Sequence, residues 1–146
     1  MKKSILATVL LIGFLTSAFA TGESKISYFI LNSFNRDFKD AKNVVWTSKT
    51  GLAEARFTLN DRKTEVFYNA NGSIYAISKS IELDELPVNA KRAFAKRYEG
   101  YIVKEAIQYE GTDEDSYYIS AENEKESVII KVEQQGELSI FKKAKK

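Results

Sequence analysis

Residues 66–76 read VFYNANGSIYA and contain two alternating segments separated by a turn. Val66 and Tyr68 precede the turn, and Ile74 and Ala76 follow it; each pair has the period of two that is typical of a β-strand. The Asn-Gly pair at 71–72 tolerates the positive φ angles of a tight hairpin turn. The stretch therefore predicts two antiparallel strands joined by a hairpin.

Towards the N-terminus, two more strands are predicted before the period changes. Val44 and Trp46 define one strand, with Trp46 in the core. The other strand is defined by apolar residues that alternate with polar ones, namely Ala53, Ala55, Phe57 and Leu59. Before them, a three- and four-residue spacing predicts a helix with one buried stripe, N-capped by Ser24. The stripe consists of Ile26, Phe29, Ile30, Phe34 and Phe38.

The second half of the chain repeats this order. Pro87 is placed to open a helix through 88–98 that ends at Gly100, and alternating segments follow at 101–110, 116–122, 127–133 and 137–142. With an offset of about 60 to 64 residues, Phe34 and Phe38 match Phe94 and Tyr98, and Asn71-Gly72 matches Gln135-Gly136. Near the position in the second half that should correspond to Trp46, the sequence has Lys104.

The predicted fold class is α+β, built from two helix-plus-four-stranded antiparallel repeats. Repeat one covers 26–82 and repeat two covers 83–142, and an internal duplication explains both. Each half alone would have a thin core, so we expect a single domain over 26–142. The strands should form one curved sheet, or two joined sheets, with both helices on one face.

The residue types that the chain lacks exclude much chemistry. The 146 residues include no cysteine and no histidine, which excludes disulfides, thiolate nucleophiles, Ser-His-Asp triads and imidazole metal ligands. Asp113, Glu114 and Asp115 cluster, but without the spacing of an EF-hand, and no two carboxylates are placed as an acid–base pair. We therefore expect no metal site, no cofactor and no enzymatic activity.

Residues 1–20 have the pattern of a secretory signal peptide. Lys2 and Lys3 precede an apolar run over 5–14, and Ala18-Phe19-Ala20 is a cleavage pattern. The run is short and interrupted for a membrane anchor, which is the alternative interpretation, so no stable membrane insertion is expected after cleavage. A short segment follows at 21–25, and 143–146 should be a frayed basic tail. The predicted location is periplasmic or secreted.

The order of motifs resembles one known family. The motifs are the Phe34 and Phe38 helix, AKNVVW at 41–46, ARF at 55–57, Leu86-Pro87 and Gly136. Together they resemble the PepSY-like, beta-lactamase-inhibitor-like proteins secreted by Bacteroidetes-type bacteria. The resemblance implies paired helix-plus-sheet repeats in the periplasm without catalytic machinery. It also implies that the exposed face of a curved sheet inhibits or regulates secreted enzymes.

A mixed aromatic and basic set falls on the strand positions opposite to the predicted core. Tyrosine, phenylalanine and arginine anchor protein interfaces because they bury large areas with few rotors to freeze. The alternative is that these side chains complete a second small core or pair across the strands. The candidate partner-binding residues are Arg56, Phe67, Tyr75, Lys104, Tyr118, Lys131 and Phe141.

The leading functional prediction is a secreted, non-catalytic binding module that contacts another envelope or secreted protein, including an enzyme that it restrains. The alternative is a periplasmic carrier of a small sugar, lipid or peptide. A carboxylate-dependent enzyme is a third and weaker hypothesis. The chain has 22 basic and 20 acidic side chains, which does not favour a nucleic-acid partner. The sequence sets no oligomeric state.

Overall fold

Two helices and eight strands follow one another in the predicted order in a computed structural model that describes residues 25–49 and 51–146. Helix α1 spans Tyr28–Asp37 and precedes strands β1 (Lys42–Lys49), β2 (Leu52–Leu59), β3 (Arg62–Asn69) and β4 (Ile74–Ser80). After a short 3-10 turn at Leu83–Glu85, helix α2 spans Val88–Arg97 and precedes β5 (Ile102–Gly111), β6 (Asp115–Glu122), β7 (Glu126–Glu133) and β8 (Leu138–Lys145). The predicted signal peptide and the Ser24 cap lie outside the described residues.

The eight strands form one antiparallel sheet in the order β1 to β8, which confirms the α+β class. The chain divides into two compact units, unit 1 ending at Tyr75 and unit 2 beginning at Ala76. The duplication, the single domain and the placement of both helices on one face stay predictions.

In unit 1, α1 begins later than its apolar spacing predicts. Ser27 is the N-cap, and its hydroxyl accepts a hydrogen bond from the Ile30 backbone N–H. Ile30 and Phe34 are buried, and the Phe34 ring lies 5.1 Å from Trp46. The prediction that Phe29 belongs to the buried stripe is wrong: Phe29 is 70% exposed. It follows directly on Tyr28 in the first helical turn, one position away from the face that Ile30 and Phe34 turn to the strands.

In unit 2, Pro87 is the N-cap residue of α2, and its carbonyl accepts the Lys91 N–H. Ala90 and Phe94 are buried on the face of the helix that meets the strands. The core beneath it includes Ala106, Ile119, Ala121, Val128, Ile130 and Val132.

The strand registers of the two units match position by position. Trp46 lies opposite Ala55 on β1 and β2, and Ala106 lies opposite Ile119 on β5 and β6. The position that corresponds to Trp46 is therefore Ala106, since Lys104 falls in an irregularity of the β5–β6 register between Val103 and Glu105.

Both predicted hairpin glycines close the same kind of turn. The Gly72 N–H donates to the Asn69 carbonyl at 2.9 Å, and the Gly136 N–H donates to the Glu133 carbonyl at 2.8 Å. The φ angles of +84° and +90° at these residues explain why the turns contain glycine.

The C-terminal lysines continue β8 instead of forming a frayed tail. Lys143 Nζ lies 2.7 Å from Glu126, and Lys146 Nζ lies 3.2 Å from Glu122. The backbone N–H of Lys146 also donates to the Lys125 carbonyl at 3.0 Å. Pairing with β7 and these ion pairs hold the segment in place. Among the described residues, no helix has the length and apolarity needed to cross a membrane.

Candidate protein-binding face

Strands β5 to β7 of unit 2 present alternate side chains to two faces. Ala106, Ile119 and Ile130 lie opposite one another and pack in the core with Phe94 of α2. One residue further along each of β5 and β7, Ile107 and Lys131 lie on either side of Tyr118. Because successive side chains point to opposite faces, this second row defines the helix-free face of unit 2.

Tyr118 is the buried aromatic residue between Ile107 and Lys131 on this face. It is 1% exposed, and its ring centroid lies 6.2 Å from that of Tyr109 and 5.3 Å from that of Phe141. Burial raises the pKa of the Tyr118 phenol, which keeps it neutral. Phe141 is only half-buried, so part of its ring is available at the surface.

Lys131 holds a fixed positive charge beside these rings. Its Nζ lies 2.9 Å from Glu114 Oε2 and 3.0 Å from Glu133 Oε1. Burial alone would lower the pKa of this ammonium group, but the two carboxylates raise it above its ordinary value. The side chain is 18% exposed and is therefore a positioned cation instead of a freely moving one.

The helix-free face of unit 1 contains a different charge cluster on β2 and β3. Arg56 lies opposite Glu65, and Glu54 lies opposite Phe67. The Arg56 Nε lies 2.6 Å from Glu54 Oε1 and 3.7 Å from Glu65 Oε1. Glu65 is 0% exposed, so the guanidinium offsets negative charge that is withdrawn from water.

Two of the candidate residues are not accessible to a partner. Phe67 and Tyr118 are 3% and 1% exposed, which agrees with the alternative that part of this set completes a second small core. Phe67 and Tyr118 therefore contribute to the packed interior of their faces. Any direct contact with a partner must come from the other candidate residues.

The remaining candidates divide between the two units. Arg56, Lys131 and Phe141 are partly buried on the faces described above, and Tyr75 is partly buried near the start of β4. Lys104 is exposed, but it extends to Glu122 at 2.8 Å instead of joining the cluster around Lys131. The structure thus brings Tyr118, Lys131 and Phe141 together in unit 2.

The acidic members of both clusters were missed by the sequence analysis. Glu54 and Glu65 are buried beside Arg56, and Glu114 and Glu133 bind Lys131. Strand alternation contained a signal for Glu54, which stands two residues before Arg56 and therefore shares its face. Glu114 was singled out only as a member of an acidic cluster; its role as a partner of Lys131 on β7 had no local signal.

The described pockets of unit 2 are lined mainly by charged and amide side chains. One of about 460 Å³ is bordered by Glu114, Asp115, Glu133 and Glu137 together with Gln134 and Gln135. Within the described ranges, no three His, Cys, Asp or Glu side chains form a group able to hold a metal ion. The face of unit 2 can offer a fixed cation and an aromatic edge.

No protein-family model matches the chain, and no curated protein matches it. Solved structures from Bacteroides species share its fold. A protein from Bacteroides eggerthii described as periplasmic has 15% identity and a TM-score of 0.72, with coverage of 82% of this chain and 88% of that one. A DUF2874 family protein from Bacteroides uniformis has 18% identity and a TM-score of 0.70, with coverage of 82% and 88%.

A BLIP-like protein from Bacteroides fragilis is also similar, with 19% identity, a TM-score of 0.66 and coverage of 82% of this chain and 85% of that one. The chain therefore has the fold of a class of Bacteroides proteins that includes BLIP-like and DUF2874 members. The beta-lactamase-inhibitor-like resemblance is supported at the level of the fold, and the PepSY-like assignment stays a prediction.

Proposed function

We propose that the chain is a non-catalytic binding module of the periplasm or the secreted fraction that contacts another envelope or secreted protein and regulates it. The observation that carries the proposal is the cluster on the helix-free face of unit 2, where Lys131 is fixed between two carboxylates beside Tyr118 and Phe141. The proposed contact residues there are Lys131 and Phe141.

The energetics of association favour such a cluster. Ordering a long, rotamer-rich side chain at an interface costs about 0.5–1.5 kcal/mol. Lys131 is already held by Glu114 and Glu133, and Phe141 rests on Tyr118, so little further ordering is needed when a partner binds. Aromatic side chains in packed surroundings are frequent hot spots of binding energy.

The fold comparisons support the location and the mode of action. The Bacteroides eggerthii neighbour is described as periplasmic, and residues 1–20 of this chain have a signal-peptide pattern. The Bacteroides fragilis neighbour is described as BLIP-like, which favours a regulatory contact with an enzyme. Because a fold hosts many functions, the side-chain cluster and not the fold selects the proposed surface.

Site-specific photo-crosslinking in the host tests the proposal. The photoreactive residue p-benzoylphenylalanine replaces Phe141 in one strain and Ala93, on the exposed side of α2, in a control strain. We expect one discrete higher-mass adduct from position 141 and none from position 93. Adducts that are absent at both positions, or equal at both, would contradict the proposal.

A matched pair of substitutions tests whether the cluster supplies binding energy. With the crosslinked partner purified, Lys131→Gln should weaken binding at least tenfold, since the fixed cation is lost. Lys96→Gln on the exposed side of α2 should leave the affinity unchanged. Equal affinities for the two variants would exclude Lys131 from the contact.

The described pockets favour the carrier alternative less than the binding module. Ligand sites are lined predominantly by apolar and aromatic side chains. The pocket of about 300 Å³ between the end of β5 and the start of β6 is bordered by two tyrosines but otherwise by polar side chains: Tyr109, Tyr117, Gln108, Glu110, Asp115, Ser116 and Gln134.

A further inference from the structure

Strand β8 lies at one end of the strand order and has one paired edge. Its register with β7 runs from Val132 opposite Leu138 to Glu126 opposite Lys145. Since β8 is last in the order, no other described strand pairs with its second edge. A strand edge presents backbone N–H and C=O groups that can pair with another chain.

The charge on this edge is strongly one-sided. Strand β8 reads LSIFKKAK, which contains no acidic residue, and Lys146 follows it. Lys143 pairs with Glu126, and Lys146 shares Glu122 with Lys104. Lys145 lies opposite Glu126, which Lys143 already occupies, and within the described residues Lys142 makes no ion pair. The edge therefore has positive charge left over.

The surplus charge discriminates between the possible occupants. Two copies of this chain joined edge to edge through β8 would bring two lysine-rich strands together, and like charges on neighbouring strands are destabilising. Lys142 and Lys145 are three residues apart on a regular stretch of β8 and so point to opposite faces. An extended segment with acidic residues three positions apart would instead pair its carboxylates with these two lysines. Ile140, which is exposed nearby, offers an apolar contact for such a segment.

We propose that the free edge of β8 binds an acidic extended segment of a partner protein by strand addition. Backbone hydrogen bonds supply affinity in this mode, and the side chains on either side select the sequence. Lysines on an edge strand also oppose pairing with unrelated edges. The edge thus rejects a second copy of this chain and admits an acidic strand. Phe141 belongs to the same strand, but its ring packs against Tyr118 on the face of unit 2, whereas strand addition uses the backbone groups of the free edge.

Fluorescence anisotropy with synthetic peptides tests the proposal on the chain without the predicted signal peptide, residues 1–20. The probe is a labelled, end-capped valine peptide, seven residues long, with glutamates three positions apart so that they lie on both faces of the added strand. The first control replaces each glutamate with lysine. The second control keeps the glutamates but has alternate backbone nitrogens methylated, which removes strand hydrogen bonds and leaves the charge unchanged. We expect saturable binding of the first peptide only.

Variants locate the binding site. Lys142→Glu/Lys145→Glu should weaken binding of the acidic peptide at least tenfold. Arg92→Glu/Lys96→Glu on the exposed side of α2 changes the net charge equally and should leave the affinity within twofold. If circular dichroism shows that the first variant is unfolded, Lys142→Gln/Lys145→Gln serves in its place and should weaken binding at least threefold.

Several outcomes would overturn the proposal. Equal binding of the methylated peptide would show a charged patch without strand addition, and equal weakening by both charge-reversal variants would show a non-local charge effect. Failure of the acidic peptide to bind, or a dimer in sedimentation that the Lys142→Glu/Lys145→Glu change dissociates, would also refute it. Because Lys131→Gln tests the face of unit 2 and not the edge of β8, failure here leaves the proposed function independently testable.

Discussion

Arg56 offsets two carboxylates on the helix-free face of unit 1. It lies within 3.7 Å of both Glu54 and Glu65, and both carboxylates are buried. Removing one partner from a buried ion pair costs about 3 to 5 kcal/mol, since the remaining charge is kept from water. We therefore expect Arg56→Ala to lower the free energy of unfolding by about 3 kcal/mol in urea titrations.

Arg36 supplies the matched control for this prediction. Its Nε lies 2.8 Å from Asp37, a distance comparable to that between Arg56 and Glu54, but the pair is largely exposed. Exposed ion pairs contribute little because water solvates the separated charges. Arg36→Ala should leave stability unchanged within error. If Arg56→Ala and Arg36→Ala lowered the free energy of unfolding equally, burial would not explain the contribution of Arg56 to stability.

Single residues also show where sequence reasoning stops. Alternation along β3 and β6 placed Phe67 and Tyr118 away from the helix-packed core, and the registers agree. Alternation reports which side chains share a face, but burial depends on cross-strand and ring neighbours that lie far away in the sequence. The Tyr118 ring packs against Tyr109 on the adjacent hairpin strand β5 and against Phe141 on β8, which is two strands further along the chain.

At the scale of elements, the hairpin turns that contain Gly72 and Gly136 are fitted against helices. A Cβ added at Gly72 would lie 3.1 Å from the carbonyl oxygen of Phe29, on α1. A Cβ at Gly136 would lie 3.1 Å from the backbone nitrogen of Ala90, on α2. Each substitution would therefore combine left-handed backbone strain with crowding against a helix.

We predict that Gly72→Ala and Gly136→Ala each destabilise the protein by about 2 to 4 kcal/mol. Gly51→Ala is the control, because Gly51 has φ +83° but no atom within 4 Å of the added Cβ. Gly51→Ala should lower the free energy of unfolding only by the backbone contribution of about 1 to 2 kcal/mol. Thermal and urea unfolding of the three variants measure the difference, and a loss at Gly51 as large as at Gly72 would contradict helix crowding.

The elements themselves were readable from the sequence because each has its own period and its own terminating residues. The exceptions have local causes. Lys104 departs from alternation at an irregularity in the β5–β6 register, and such irregularities have no reliable sequence signature. The C-terminal lysines looked like a solvated end, but Glu126 on β7 and Glu122 on β6 bind two of them. These ion pairs depend on how the strands pair, so they cannot be identified from the sequence alone.

For the whole molecule, the absence of histidine shapes the dependence of stability on pH. No side chain in the sequence has an ordinary pKa between the carboxyl groups and the tyrosines and lysines. Lys104 and Lys146 hold the pKa of Glu122 below its ordinary 4.5, and Lys143 and Tyr101 do the same for Glu126. The unfolded state therefore binds more protons in acid, so stability falls as pH drops through and below about 4.5.

The alkaline side has the opposite sign and a different origin. Burial raises the pKa of Tyr68 and of Tyr118 above the ordinary value of 10.0. Each phenol keeps its proton in the folded state when the unfolded chain has lost it. The stability from these groups is complete below about pH 10 and declines as the pH rises further. The free energy of unfolding should therefore be nearly constant from roughly pH 6 to 9 and fall on both sides.

Urea titrations across this range, followed by the fluorescence of Trp46, measure the profile and assign its two sides. Tyr68→Phe should make the alkaline decline shallower, because Tyr68 is wholly buried and its hydroxyl has no hydrogen-bond partner among the described residues. The same change should cost little stability at pH 7, since an unsatisfied buried hydroxyl is removed. Glu126→Gln should make the acid decline shallower, and because Glu126 also raises the pKa of Tyr101 and of Lys143, it should reduce part of the alkaline decline too. A decline between pH 6 and 9, or an alkaline decline that Tyr68→Phe leaves unchanged, would show that other groups control the charge linkage of this fold.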